Sequence, residues 1–128
     1  MRFVPPLALM GLIFYLSAQP DLSTGLGTID LVLRKIAHAG IFGLLCFLWW
    51  RALGGRLGPA IAITVLYAIS DEWHQTFVEG RHGSAVDVLI DSAGALAAAY
   101  AIKRWRKRLP ARLQPPRARQ AKPAPESR

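Results

Sequence analysis

Four long apolar stretches, separated by short segments rich in Gly, Pro and charged residues, make up most of the first 102 residues. They cover approximately residues 3–18, 31–53, 59–77 and 85–102. A helix that crosses a membrane needs roughly 20 mostly apolar residues, and each stretch comes close to that length. We therefore predict an all-α, polytopic membrane protein built as a bundle of four transmembrane helices.

Turn-forming residues mark the breaks between these stretches. Gln19-Pro20 ends the first and Gly54-Gly55 ends the second. Pro59 suits the first turn of the third helix, where its missing N–H costs nothing. Ser84 and Asp87 have the spacing of a capping box at the start of the fourth helix.

The first stretch has an alternative interpretation as a secretory signal peptide. Arg2, the short apolar core and the segment Leu16-Ser17-Ala18 resemble one. Leu16, however, occupies a position at which the cleavage signature favours a small side chain. We expect this stretch to be retained as a helix.

The basic residues are concentrated at the end of the chain. The sequence has 16 Lys and Arg against 8 Asp and Glu, and ten of the 16 lie in residues 103–128 together with five of the nine Pro. Such a segment buries too little apolar surface to offset its ordering entropy. We predict a four-helix membrane domain at 1–102 and a disordered, basic, Pro-rich tail at 103–128. The tail is expected to contact anionic lipid of the inner leaflet, not nucleic acid.

The charges also predict an orientation. If the N-terminus is cytoplasmic, thirteen Lys and Arg lie inside, and seven of the eight acids lie outside. The three outer basic residues are Arg34, Lys35 and Arg81. This satisfies the positive-inside rule, so both termini are predicted to be cytoplasmic. Tryptophans would then lie at the membrane interfaces: Trp49, Trp50 and Trp105 at the inner one and Trp73 at the outer one.

Polar residues of three helices fall at one depth in this topology, the outer half of the bundle. An ionised group near the membrane centre costs at least about 2.5–3.5 kcal/mol, and such groups normally pair or line a cavity. Helical spacing places Asp71 and Gln75 on one face of the third helix, whereas Glu72 and His74 point elsewhere. The predicted ligand-binding residues are Lys35, His38, Asp71, Glu72, Gln75, Arg81, Asp87 and Asp91.

The same residues carry a resemblance to a known family. The blocks, in order, are Ser17-x-Gln19-Pro20, Lys35-x-x-His38, Asp71-Glu72-x-His74-Gln75-x-Phe77-x-x-Gly80-Arg81 and Ser84-x-x-Asp87-x-x-x-Asp91-x-x-Gly94. Over about residues 10–100 the chain resembles the VanZ-like membrane proteins. It departs from them at Arg34, where the family often has Asp, and at Glu79, where Pro is common.

The resemblance implies a small integral protein of the bacterial cytoplasmic membrane. The family takes its name from a member linked to resistance to the glycopeptide teicoplanin. Membership of the family implies no established reaction.

Three functions compete. The first is binding of an anionic envelope lipid or lipid-linked cell-wall precursor, with Lys35, His38 and Arg81 on its phosphate. The second is a membrane-embedded hydrolase or transferase, metal-dependent or acid/base, that acts on such a lipid; its candidate catalytic residues are Asp71, Glu72 and His38. The third is a structural ion-pair network in an accessory or transport subunit.

Cofactor and metal signatures are weak. The DEWHQ segment, residues 71–75, lacks the two His one turn apart that a zinc-binding HExxH helix requires. Cys46 is the single cysteine, which excludes an internal disulfide and a multi-cysteine metal site. We therefore assign no metal and no cofactor, and leave homo-oligomerisation open.

Overall fold

The computed structural model describes residues 1–18, 27–78 and 84–116. These residues form four α-helices and two short 3-10 helices, with no strand among them. The α-helices are α1 (Val4–Ser17), α2 (Thr28–Ala52), α3 (Leu57–Gln75) and α4 (Ala85–Trp105), and the 3-10 helices are Arg106–Arg108 and Ala111–Leu113. The all-α prediction is confirmed, and each α-helix begins and ends within a few residues of its predicted stretch.

Each helix runs antiparallel to the helix that precedes it in the sequence, so α2 and α4 run in the same direction. The Phe3 ring, at the start of α1, lies 6.3 Å from the Trp49 ring near the end of α2. Lys35 near the start of α2 contacts Asp87 near the start of α4. We call the end where α2 and α4 begin the polar end, and the opposite end, where both finish, the basic end.

Backbone contact between α2 and α4 sets the geometry of the bundle. A Cβ added to Gly94 would lie 2.1 Å from the carbonyl oxygen of Ala39. A Cβ on Gly43 would lie 3.1 Å from the carbonyl oxygen of Gly94. Small residues allow this close approach, which is a common basis of helix association in lipid. α2 is also the helix against which α4 packs most extensively.

Polar and apolar side chains are distributed as in a bundle surrounded by lipid. Each helix carries large apolar side chains that are at least half exposed, such as Leu12, Ile36, Leu66 and Leu89. The buried side chains include six polar ones: Ser17, Thr64, Asp71, Glu72, Gln75 and Asp91. A water-soluble bundle normally hides its large apolar side chains and exposes its charges, so this arrangement favours a membrane environment.

Among the described residues, two helices are long and apolar enough to cross a membrane. They are α2, in which an 18-residue stretch has a mean hydropathy of 1.8, and the segment Ala85–Arg108, in which such a stretch has a mean hydropathy of 1.6. α1 is apolar but shorter. The structure thus shows a helical bundle in which two helices have the length and composition of membrane spans.

Two of the tryptophans predicted at the inner interface lie inside the protein. Trp49 is 9% exposed and Trp50 is 3% exposed, and they pack near the rings of Phe3 and Phe47 respectively. Their depth at the inner interface stays a prediction, but the rotation of α2 turns both side chains towards the protein and away from the bundle surface. Trp73 and Trp105 are exposed.

The first part of the predicted tail carries local structure. α4 continues to Trp105, and residues 106–116 include the two 3-10 helices. An Arg51 Nη2 atom donates to the carbonyl oxygen of Arg112 at 2.8 Å, which holds this segment against the end of α2. Residues 117–128 lie outside the described residues, so their disorder stays a prediction.

Candidate functional site at the polar end

An ion pair joins α2 to α4 at the polar end. Lys35 Nζ donates to Asp87 Oδ1, and both side chains are about one-third exposed. Arg34 instead contacts Asp30 of its own helix, with Nε 3.1 Å from Oδ2. Lys35 therefore bridges α2 and α4.

A second pair lies one turn deeper. Nδ1 of His38 is 3.5 Å from Oδ1 of Asp91, a carboxylate that is 1% exposed. Among the described residues neither oxygen of Asp91 has a hydrogen-bond partner, so the contact with His38 is electrostatic and lacks hydrogen-bond geometry. A buried carboxylate with so little compensation is costly, and the surrounding packing must hold it in place.

The third group connects α1 to α3. Gln75 Nε2 lies 3.2 Å from Asp71 Oδ2 and 3.4 Å from Ser17 Oγ, at hydrogen-bond distance from both. All three side chains are buried. The other Asp71 oxygen, Oδ1, has no hydrogen-bond partner within the described part of the chain. Ser17 was not among the predicted site residues, although it begins the motif block Ser17-x-Gln19-Pro20 at the end of an apolar stretch.

Glu72 faces away from Asp71, as helical spacing predicted. Its Oε2 accepts a hydrogen bond from the backbone N–H of Ser84 at 3.1 Å. Ser84 caps α4 through Oγ, which accepts from the N–H of Val86 at 3.1 Å. The predicted Ser84 cap is confirmed, but the capping box is wrong, because Glu72 takes the Ser84 N–H and Asp87 pairs with Lys35.

Openings lie on both sides of α1 at this end. A cleft of about 400 Å³, which we call the aromatic cleft, is lined by Phe14, Tyr67, Ser70, Asp71, Trp73, His74 and Phe77. The His74 ring stacks on Phe14 with a centroid distance of 4.3 Å. A smaller pocket of about 80 Å³ lies between α1 and α2, with His38 and Ser17 in its wall. Asp71 and His38 are thus reached from opposite sides of α1.

The predicted residues form separate pairs and not a single ring. Lys35–Asp87 and His38–Asp91 join α2 to α4, and Asp71–Gln75 lies on α3 beside Ser17 of α1. We call these pairs together the polar cluster. In the described ranges no group of three or more His, Cys, Asp or Glu side chains is placed to hold a metal ion. Arg81 lies outside the described residues, as do Glu79 and His82.

The polar cluster and the apolar exterior together indicate that the protein belongs to the class of helical membrane proteins with charged residues gathered at one end. The chain belongs to the VanZ/LLP1 family, whose model matches residues 3–106. This match confirms the resemblance found at the motif residues. Neither the curated proteins nor the solved structures gave a significant match.

Proposed function

We propose that the protein crosses the bacterial cytoplasmic membrane four times and binds, at its outward-facing polar end, the head of an anionic envelope lipid or lipid-linked cell-wall precursor. One observation carries the proposal. Asp71, a carboxylate that is 2% exposed, lines the aromatic cleft while its Oδ1 has no partner among the described residues. An unpaired buried oxygen beside a cleft is poised for a donor group of a ligand.

The membrane placement is supported by exposure and by charge. α1 and α3 display exposed large side chains such as Leu12 and Leu66, as α2 and α4 do. The acids of the described residues lie in or near the polar end, whereas the cations of α4 and of the segment after it lie at the basic end. Under the positive-inside rule the basic end and both termini are cytoplasmic.

The site contains both cations and carboxylates, which favours a lipid head group that carries both phosphate and hydrogen-bond donors. Lys35 and His38 would provide cationic donors for phosphate, and the sequence predicts Arg81 as a third donor. Asp71 and Asp91 have oxygens without a hydrogen bond to any described residue, and these accept only from donors such as hydroxyl or amine groups. A simple anion would satisfy the cations and be repelled by the carboxylates. A lipid-linked precursor, which combines phosphate with hydroxyl groups, suits both sets.

Co-purifying lipid tests the ligand. The full-length protein would be purified in mild detergent and its bound lipids identified by native mass spectrometry. We expect Asp71→Asn and Arg81→Ala to lose the bound lipid. The matched controls Asp30→Asn and Arg34→Ala change the same charges at an ion pair within α2 and should retain it. The proposal would be refuted if every bound lipid species were retained in both site variants at the level of the unmodified protein.

Accessibility labelling tests the orientation. In a Cys46→Ala background, a cysteine at position 79 should react with an impermeant reagent from outside the cell. A cysteine at position 56, at the basic end, should react only after lysis. The reverse pattern would overturn the topology and the outward placement of the site.

Acid/base chemistry is the second candidate, favoured by the contact between His38 and Asp91. A buried carboxylate 3.5 Å from an imidazole stabilises the cation that forms when His38 accepts a proton as a general base, and His38 lines the smaller pocket. Incubating the protein with its co-purified lipid would then yield a product detectable by mass spectrometry. His38→Gln removes the titratable group but keeps a hydrogen-bond donor, so it should abolish the product even in the fraction of protein that still holds lipid. No product from the unmodified protein would exclude this reaction.

A resistance phenotype is a further part of the proposal. The family resemblance implies a link to teicoplanin, so expression in a susceptible bacterium should raise the inhibitory concentration of that antibiotic. Asp71→Asn expressed at the same level should not. An equal effect of both chains would show that the polar end is not involved.

A further inference from the structure

The basic end contains a cleft formed where residues 106–116 turn back over the connection between α2 and α3. Its volume is about 300 Å³, at the small end of the range of about 300–1,000 Å³ for ligand pockets. Its lining is Trp50, Gly54, Gly55, Arg106, Lys107, Gln114 and Pro115. We call it the basic cleft.

Local backbone geometry builds one wall. Gly54 and Gly55 have φ values of 69° and 90°, which glycine adopts without the cost that other residues incur. Their N–H groups bond to the carbonyl oxygens of Arg51 and Trp50 and close the end of α2. The chain therefore reverses sharply without a side chain that would fill the cleft.

The returning segment builds the other wall. The hydrogen bond from Arg51 to the Arg112 carbonyl anchors it at 2.8 Å. Gln114 Nε2 donates to the Leu109 carbonyl at 2.9 Å, and Leu109 packs against the core. Pro115 approaches Gly55 so closely that an added Cβ would lie 3.1 Å from its Cγ. The wall is thus held at several points.

The charge of the cleft is uncompensated within the described structure. Arg106 and Lys107 form no ion pair with any described residue, and the Nε of the neighbouring Arg51 is buried without a partner. The sequence has no Asp or Glu from residue 31 to 70 or from 92 to 125, so the helix ends around the cleft carry only basic charge. Arg and Lys side chains without acidic partners are suited to phosphate.

We propose that the basic cleft binds the phosphate of an anionic glycerophospholipid of the inner leaflet. The cleft lies at the end of Ala85–Arg108, a segment of span length, and therefore at the depth of the headgroups. The inference rests on the membrane placement in the proposed function and is independent of the ligand at the polar end. It differs from general attraction of a basic tail because the phosphate is held by two particular residues.

The test compares two variants that remove the same charge. Delipidated full-length protein in detergent would be titrated with phosphatidylglycerol, and with phosphatidylcholine of the same acyl chains, by native mass spectrometry. R106Q/K107Q removes two charges from the cleft, and R117Q/R119Q removes two charges farther along the tail. At about 1 kcal/mol for each basic residue near anionic lipid, the first variant should bind phosphatidylglycerol about 30-fold more weakly. The second should bind it like the unmodified protein.

Other outcomes decide against the cleft. Equal weakening in both variants would show diffuse attraction. Equal binding of phosphatidylcholine, whose phosphate is accompanied by a choline cation, would show that the net negative charge of the lipid is not recognised. Displacement by 10 mM inorganic phosphate would identify a soluble phosphate ligand in place of a lipid. The charge-preserving variant R106K/K107R should bind phosphatidylglycerol like the unmodified protein. This result would show that R106Q/K107Q acts through loss of charge and not through altered folding. Asp71→Asn should leave this binding unchanged, so failure here is distinct from failure of the proposed function.

Discussion

The backbone N–H of Ser84 donates to Oε2 of Glu72 at 3.1 Å, and this bond joins the last turn of α3 to the first residue before α4. It satisfies an amide that a capping box would have paired within α4. Asp87 is consequently available to Lys35 of α2. The Glu72 carboxylate thus fixes the connection between α3 and α4, and the Asp87 carboxylate fixes the contact between α2 and α4.

Removal of the Glu72 carboxylate should destabilise the protein. Glu72→Ala leaves the Ser84 N–H without its acceptor, which costs about 1–3 kcal/mol of unfolding free energy. Glu72→Gln keeps a carbonyl oxygen and should cost less. Denaturant titration in detergent measures the difference, and hydrogen exchange at the Ser84 amide should be faster in the Ala variant alone. Equal stability of all three proteins would contradict the assigned role.

Gly94→Ala should be among the most damaging substitutions in α4. The added Cβ would lie 2.1 Å from the Ala39 carbonyl oxygen, and no side-chain rotation can relieve contact with backbone. We expect a loss of about 3 kcal/mol or more, measured as the unfolding free energy in detergent.

Gly40→Ala is the matched control for Gly94→Ala. It has no heavy atom within 4 Å of the added Cβ and should gain up to about 1 kcal/mol from helix propensity. If Gly94→Ala were tolerated as well as Gly40→Ala, α2 and α4 would be farther apart than described.

The Lys35–Asp87 pair should show coupling in a double-mutant cycle. Lys35→Met and Asp87→Asn each leave a partly buried charge without its partner. The double variant should therefore lose less unfolding free energy than the sum of the losses in the two single variants. We expect a coupling energy of about 0.5–3 kcal/mol. The control cycle combines Asp87→Asn with Arg56→Met at the basic end and should give a value near zero. No coupling in the first cycle would place Lys35 and Asp87 apart.

Asp91→Asn distinguishes a ligand site from a structural network. Asp91 is 1% exposed and lacks hydrogen-bond partners among the described residues, so removing its charge should leave the unfolding free energy unchanged or higher. The amount of lipid that stays bound during purification should be lower in the same variant. A structural ion pair predicts the opposite, a loss of about 3–5 kcal/mol when one partner is removed. Thermal unfolding and native mass spectrometry of the same sample measure both.

Much of this architecture could be predicted from the sequence because its signals are local. Apolar run length and the breaks at Gly54-Gly55 and Ser84 gave the helices to within a few residues. Antiparallel order then placed Lys35, His38, Asp71 and Asp91 near one end of the bundle. Neither step requires knowledge of which face of a helix meets its neighbour.

Only the tertiary structure decided the pairings, since these depend on how each helix is rotated about its axis. Helices that are apolar on nearly every face have no polar stripe to indicate that rotation. The backbone contact between Gly94 and Ala39 sets it for α2 and α4. This packing pairs Asp87 with Lys35, and the rotation of α2 buries Trp49 and Trp50. The placement of α1 brings Ser17 to Gln75. The sequence by itself determined which residues share a depth, and helix packing determined which of them touch.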